Sequence, residues 1–159
     1  NHRFGKSESS EAGNMSKGKG IKVIVSMIGL DGHTTGGEVV TMLLRDAGFE
    51  VVYLGVNQTP ATIVEAALQE DVDVIGISCH ASNYSQVEEV MDLVRKKDLE
   101  DVLVVCGGNI PRRQIERLIA KGVAKVFTPG SAGSEIVDYL VANARRPPTR
   151  FATGISPAQ

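Results

Sequence analysis

Apolar and polar positions alternate along this chain in two different rhythms. Short runs rich in Val and Ile occur at Ile21–Met27, Val51–Leu54, Val72–Ser78, Val102–Cys106 and Val123–Phe127. They lack strict polar alternation, which is the pattern of parallel strands covered on both faces. Between them the apolar residues recur at helical spacing. Gly36–Ala47 places Val39, Val40, Leu43 and Leu44 on one stripe and stops at Gly48, a residue suited to the position just past a helix. Thr59 as N-cap and Pro60 at the first helical position open Pro60–Glu70. Tyr84–Lys97 aligns Val87, Val90, Met91 and Val94, and helices over Pro111–Lys121 and Ser131–Ala142 follow. Five strands alternating with five helices, joined by right-handed crossovers, predict an α/β, flavodoxin-like doubly wound five-stranded parallel sheet of order 2-1-3-4-5.

The ends of the chain read differently. Residues 1–20 are Gly-, Ser-, Lys- and Glu-rich, and residues 145–159 hold three prolines. Both are expected to be flexible tails, the first in part an expression tag, around one domain over 21–144.

Composition narrows the function. Lys and Arg total 17 against 19 Asp and Glu, a formal net charge of −2. That balance offers no basic face for nucleic acid. Trp is absent and aromatics are 4%, so stacking platforms are scarce. No apolar run approaches the roughly 20 residues of a membrane span. Two cysteines, Cys79 and Cys106, make no disulfide framework. They read as reduced thiols of a cytoplasmic protein.

In an open α/β sheet, ligands bind beyond the carboxyl ends of the strands. The residues at those exits are Gly29–Gly36, Ser78–Asn83, Gly107–Pro111 and Thr128–Gly130. Asp31 and His33 stand two apart in the first of these. A carboxylate on one imidazole nitrogen fixes the tautomer and raises the basicity of the other, which suits a metal ligand or a general base. Gly107 and Gly108 leave a strip without side chains, with room for a flat or elongated group. Each feature alone is ordinary turn chemistry. Together they fall on one edge of one sheet.

These residues resemble a known family. Asp31-Gly32-His33-Thr34-Thr35-Gly36 fits Asp-x-His-x-x-Gly, followed by Gly76-Ile77-Ser78 and Gly107-Gly108. The triple signature is similar to the cobalamin-binding domain of vitamin B12-dependent mutases and methyltransferases, over nearly all of 21–144. Gln58-Thr59-Pro60, the segment 69–76 and the segment 123–130 look most like the acyl-CoA mutase branch, of the methylmalonyl-CoA mutase kind. The resemblance implies that His33 is the lower axial ligand to cobalt, with Asp31 on its other nitrogen and Gly32 between them. It implies that the displaced nucleotide tail of adenosylcobalamin enters the crevice, where Ser78 hydrogen-bonds it. Gly107 and Gly108 would line its path, Thr128 and Gly130 would close around its phosphate and ribose, and Gly36 would keep the entrance open. Thr34 and Thr35 replace the acidic and basic residues many acyl-CoA mutases carry there. His80 replaces a usual Leu and is counted with the cofactor-binding set.

The activity implied is a radical carbon-skeleton rearrangement of an acyl-CoA. A chain of 159 residues does not hold the ~250-residue barrel that would bind the substrate, so a large acyl-CoA-binding barrel subunit is the expected partner. Two other readings compete. A corrinoid carrier or cobalamin-sensing module would carry a helical cap, and only about 20 polar residues precede the first strand. A zinc site built from His33, His80, Cys79 and Cys106 lacks Cys-x-x-Cys spacing.

Overall fold

A computed structural model describes residues 17–28, 35–79 and 84–144. Five parallel strands and five helices alternate, as the apolar pattern anticipates: β1 (Lys22–Ile28), α1 (Thr35–Asp46), β2 (Glu50–Gln58), α2 (Pro60–Glu70), β3 (Val74–Ser78), α3 (Tyr84–Lys96), β4 (Leu103–Gly107), α4 (Arg112–Ala120), β5 (Lys125–Phe127) and α5 (Gly133–Asn143). The sheet order is β2-β1-β3-β4-β5.

Each strand alternates its side chains between two apolar layers. Ile24, Ile28, Ile75, Ile77, Cys79, Val104 and Cys106 join Ile63 and Val64 of α2, Val87, Val90 and Val94 of α3, and Leu118 of α4. Val23, Val25, Val74 and Val105 face the other way, onto Leu44 of α1 and Val137 and Leu140 of α5. Three helices therefore cover one face and two cover the other.

Some element boundaries differ by two residues from those the apolar pattern predicts. Val72 and Asp73 precede β3, where the Asp73 N–H donates to the Lys22 carbonyl (2.9 Å), the Asp73 carbonyl accepts the Leu103 N–H (3.0 Å) and its carboxylate accepts the Lys22 N–H (2.9 Å). Ser131 and Ala132 precede α5, since the Ser131 hydroxyl donates to the Thr128 carbonyl at 2.7 Å and its N–H donates there too. Thr59 caps α2 as expected. Its hydroxyl accepts from the Thr62 N–H, and the Thr62 hydroxyl returns to the Thr59 N–H. Residues 17–20, read from sequence as tail, form a turn. Gly18 is buried there and donates to the Ala47 carbonyl at 2.8 Å.

The largest departure is β2, expected to end at Leu54 and running on to Gln58. Its register with β1 is regular from Glu50 to Tyr53, then slips twice, so that Ser26 pairs with Gly55 and Ile28 with Gln58. Gly55 (φ +81°) and Asn57 (φ +60°) take left-handed conformations at the two bulges. The Gln58 side chain closes them. Its amide nitrogen donates to the carbonyls of Leu54 (3.0 Å) and Val56 (3.2 Å), and its carbonyl oxygen accepts from the Thr62 hydroxyl (3.1 Å).

Candidate functional site: a glycine-floored crevice

On the two-helix face a cavity of about 400 Å³ opens between α1 and α5, within the range of small-molecule clefts, about 300–1,000 Å³. Val23 and Val25 of β1, Gly76 and Ser78 of β3, Val105 and Gly107 of β4, and Phe127 of β5 form its floor. Gly37, Val39, Val40 and Leu44 of α1 line one side, and Ile136 and Leu140 of α5 the other. Thr128, Pro129 and Gly130, which are exposed, and the half-buried Ser131 edge its mouth. None of the lining residues carries a charge.

The glycines divide into two kinds. Gly108 is required by the backbone: it sits at φ +135°, and a Cβ there would overlap the Cys79 carbonyl oxygen. That close approach follows from the exit of β4, where the Cys79 N–H donates to the Gly107 carbonyl (3.0 Å) and the Gly108 N–H to the Phe127 carbonyl (3.1 Å). Gly76 and Gly107 are different. A Cβ at Gly107 would meet only the Phe127 carbonyl oxygen, at 3.8 Å, and one at Gly76 would lie 3.4 Å from the Ile24 carbonyl oxygen. The protein's own packing tolerates a side chain at Gly107. What glycine secures there is open space above the floor.

Of the residues singled out in the sequence, the fold gathers Ser78, Gly107, Gly108, Thr128 and Gly130 around this one cavity. Gly36 falls in the first turn of α1. Asp31, Gly32, His33 and His80 lie outside the described residues. Gly37 was not anticipated. A Cβ at this position would come within 2.8 Å of Met27 Cε, so Gly37 lets α1 settle against β1 while it lines the crevice. Phe127, Val39, Val40 and Ile136 were likewise read as core or not singled out. In sequence, an apolar stripe that faces a cleft is indistinguishable from one that faces a neighbouring helix.

The two cysteines pack into the other apolar layer, with Cys106 also bordering the cavity. Cys79 and Cys106 are fully buried free thiols in the layer under α2, α3 and α4, whereas Ser78 and Gly107 serve the crevice side. Burial pushes the Cys106 thiol well above its ordinary pKa, and the neighbouring Cys79 adds to the shift. A thiol held protonated is a poor metal ligand. Among the described residues no cluster of His, Cys, Asp or Glu is suited to hold a metal, and no helix is long and apolar enough to cross a membrane.

The crevice fits the nucleotide tail of a corrinoid. A planar, uncharged base matches an uncharged cleft whose floor is cleared by Gly76 and Gly107, and hydroxyl groups of Ser78, Thr128 and Ser131 are the polar contacts available to it.

Comparison with known proteins points the same way. Residues 21–137 match the family model described as the B12 binding domain. The chain is 45% identical over 122 residues to the pivalyl-CoA mutase small subunit of Xanthobacter autotrophicus, covering 77% of this chain and 82% of that protein. It is 35% identical over 121 residues to the 2-hydroxyisobutanoyl-CoA mutase small subunit of Aquincola tertiaricarbonis, covering 76% and 89%. A cobalamin-binding protein from Desulfitobacterium hafniense shares the fold, with a TM-score of 0.67 at 20% identity over 76% of this chain and 57% of that one.

Proposed function

The chain belongs to the family of B12-binding domains, and we propose that it is the cobalamin-binding small subunit of an adenosylcobalamin-dependent acyl-CoA mutase. The observation that carries this reading is the uncharged crevice at the carboxyl edge of the sheet, floored by glycines that the protein's own packing does not demand. The relatives named as small subunits of acyl-CoA mutases, matched over most of their length, supply the reaction class.

In this reading His33 would ligate cobalt, and Asp31 would hold the other imidazole nitrogen so that the ligating one stays unprotonated. Gly32 lies between them in sequence, Gly36 follows in the first turn of α1, and His80 follows β3 in sequence. Ser78 hydrogen-bonds the nucleotide tail inside the crevice, Gly107 and Gly108 leave its path clear, and Thr128 and Gly130 meet the phosphate and ribose at the mouth. With no charged residue lining the cavity, the phosphate stays toward water and the base goes inward. The cofactor, when bound, supplies the radical chemistry of carbon-skeleton rearrangement, while the protein supplies ligation, orientation and exclusion of water. A large acyl-CoA-binding subunit of barrel form supplies the substrate site and docks on the strand-end face around His33. The reduced thiols fit a cytoplasmic setting.

The purified chain mixed with adenosylcobalamin is expected to show the absorption spectrum of base-off cofactor with histidine on cobalt. Electron paramagnetic resonance of the chain loaded with the paramagnetic Co(II) form of the cofactor, with isotopically labelled histidine, identifies that ligand. Dimethylbenzimidazole still on cobalt would reject the proposal. His33→Ala is expected to lose the histidine signature and most of the affinity, and His80→Ala to keep both. Equal behaviour of the two variants overturns the ligand assignment.

A further inference from the structure

Phe127 ends β5, a strand of only three residues at the edge of the sheet, and the next three residues are exposed. Its backbone is fixed, because its carbonyl accepts the Gly108 N–H at 3.1 Å. Phe127 is half-buried and lines the crevice. The ring packs against the apolar layer shared with α1 and α5, and one aromatic neighbour fixes its orientation. Tyr139 of α5 meets it edge-on, with centroids 5.6 Å apart and planes at 82°. Tyr139 is itself anchored, its hydroxyl donating to the Ala124 carbonyl at 3.3 Å just before β5 begins. Tyr139 does not line the crevice.

We propose that Tyr139 is a positioning residue, which holds the Phe127 ring in place as a wall of the crevice and so sets the width available to the planar base of the cofactor's tail. The inference rests on the cobalamin reading above and adds to it a residue that touches no part of the cofactor. The physical reason is rotational freedom. An aromatic side chain at the end of an edge strand has more than one staggered χ1 well, and an edge-to-face neighbour selects one of them. Without Tyr139 the ring can swing, and the slot loses its fixed width.

The test is a double-mutant cycle read with two corrinoids: cobalamin, and cobinamide, which lacks the nucleotide tail. Phe127→Leu and Tyr139→Leu are each expected to weaken cobalamin binding about 5–20-fold, and the double variant no more than about the worse single one, because coupled residues do not add. Cobinamide affinity is expected to stay within about 3-fold, and Tyr139→Phe, which keeps the ring edge, within about 2-fold for cobalamin. Tyr139→Met replaces the leucine variant if the latter does not fold, and the unfolding midpoint of each cofactor-free variant controls for general damage. Losses that multiply in the double variant, an equal loss for cobinamide, or normal cobalamin binding by Tyr139→Leu would each overturn the proposal. A wild-type chain that binds no cobalamin base-off sinks the functional reading itself, whereas base-off binding with uncoupled variants sinks only the role of Tyr139.

Discussion

Gly107 and Gly108 are neighbours with opposite reasons for having no side chain, and substitution separates them. Gly108→Ala places a Cβ against the Cys79 carbonyl at a left-handed φ. It is expected to lower stability by about 3 kcal/mol or more, read from urea unfolding. Gly107→Ala meets only an ordinary contact with the Phe127 carbonyl. Its unfolding midpoint is expected to hold or rise slightly, since alanine replaces glycine inside a strand at a gain of about 0.5–1 kcal/mol. Its cobalamin affinity is expected to fall at least about tenfold, because the new methyl group occupies the floor. A Gly107→Ala protein that binds cobalamin normally would show that the floor is not where the tail lies. Sequence reading singled out both glycines, but it could not tell them apart. The distinction depends on which atoms of β3 and β5 stand opposite, and pairing partners are not written in a local motif.

The end of β2 makes the same point for a whole element. Gln58 supplies two donors to main-chain carbonyls and an acceptor to Thr62. Gln58→Leu is expected to cost about 1–2 kcal/mol, and Thr59→Ala about 1 kcal/mol through the lost cap. Hydrogen exchange should locate the Gln58 effect in residues 54–58, with β3 and β4 unchanged. Exchange that rises uniformly over the sheet would contradict a local role. The five strands were legible because parallel strands buried on both faces are written as continuous Val and Ile, as at Val74–Ile75 and Val104–Val105. The last turn of β2 was not. Gly55 and Asn57 have the composition of a chain reversal, and only the pairing with β1, closed by the Gln58 side chain, turns them into bulges within a strand.

Taken as one body, the protein divides its labour between the faces of the sheet. Three helices seal one side with a continuous apolar layer, and two helices on the other leave a slot over β3 and β4. That asymmetry follows from the crossover order, which sequence alternation already implied. The slot's size was not implied, because it depends on how closely Gly133 of α5 approaches Leu43 of α1. A fold so occupied with the cofactor leaves the acyl-CoA to a partner. The tagged chain, recovered from cells that express it naturally, is expected to bring down a large polypeptide of acyl-CoA mutase sequence, identified by mass spectrometry. Mutase turnover is expected from the pair and not from this chain alone. Turnover by the isolated chain would contradict the division of labour.

The doubled bulge of β2 also bears on what happens at the flank of the molecule. A sheet that stops at an outer strand offers its unspent main-chain groups to any passing polypeptide, and regular borders of this kind seed fibrils. Here an incoming strand could keep step only along Glu50–Leu54 before the irregular φ angles of Gly55 and Asn57 threw it out of phase. The carbonyls of Leu54 and Val56 are already taken by Gln58. The same glutamine that finishes the strand thus keeps neighbouring molecules from continuing it, and the protein carries its own guard against aggregation.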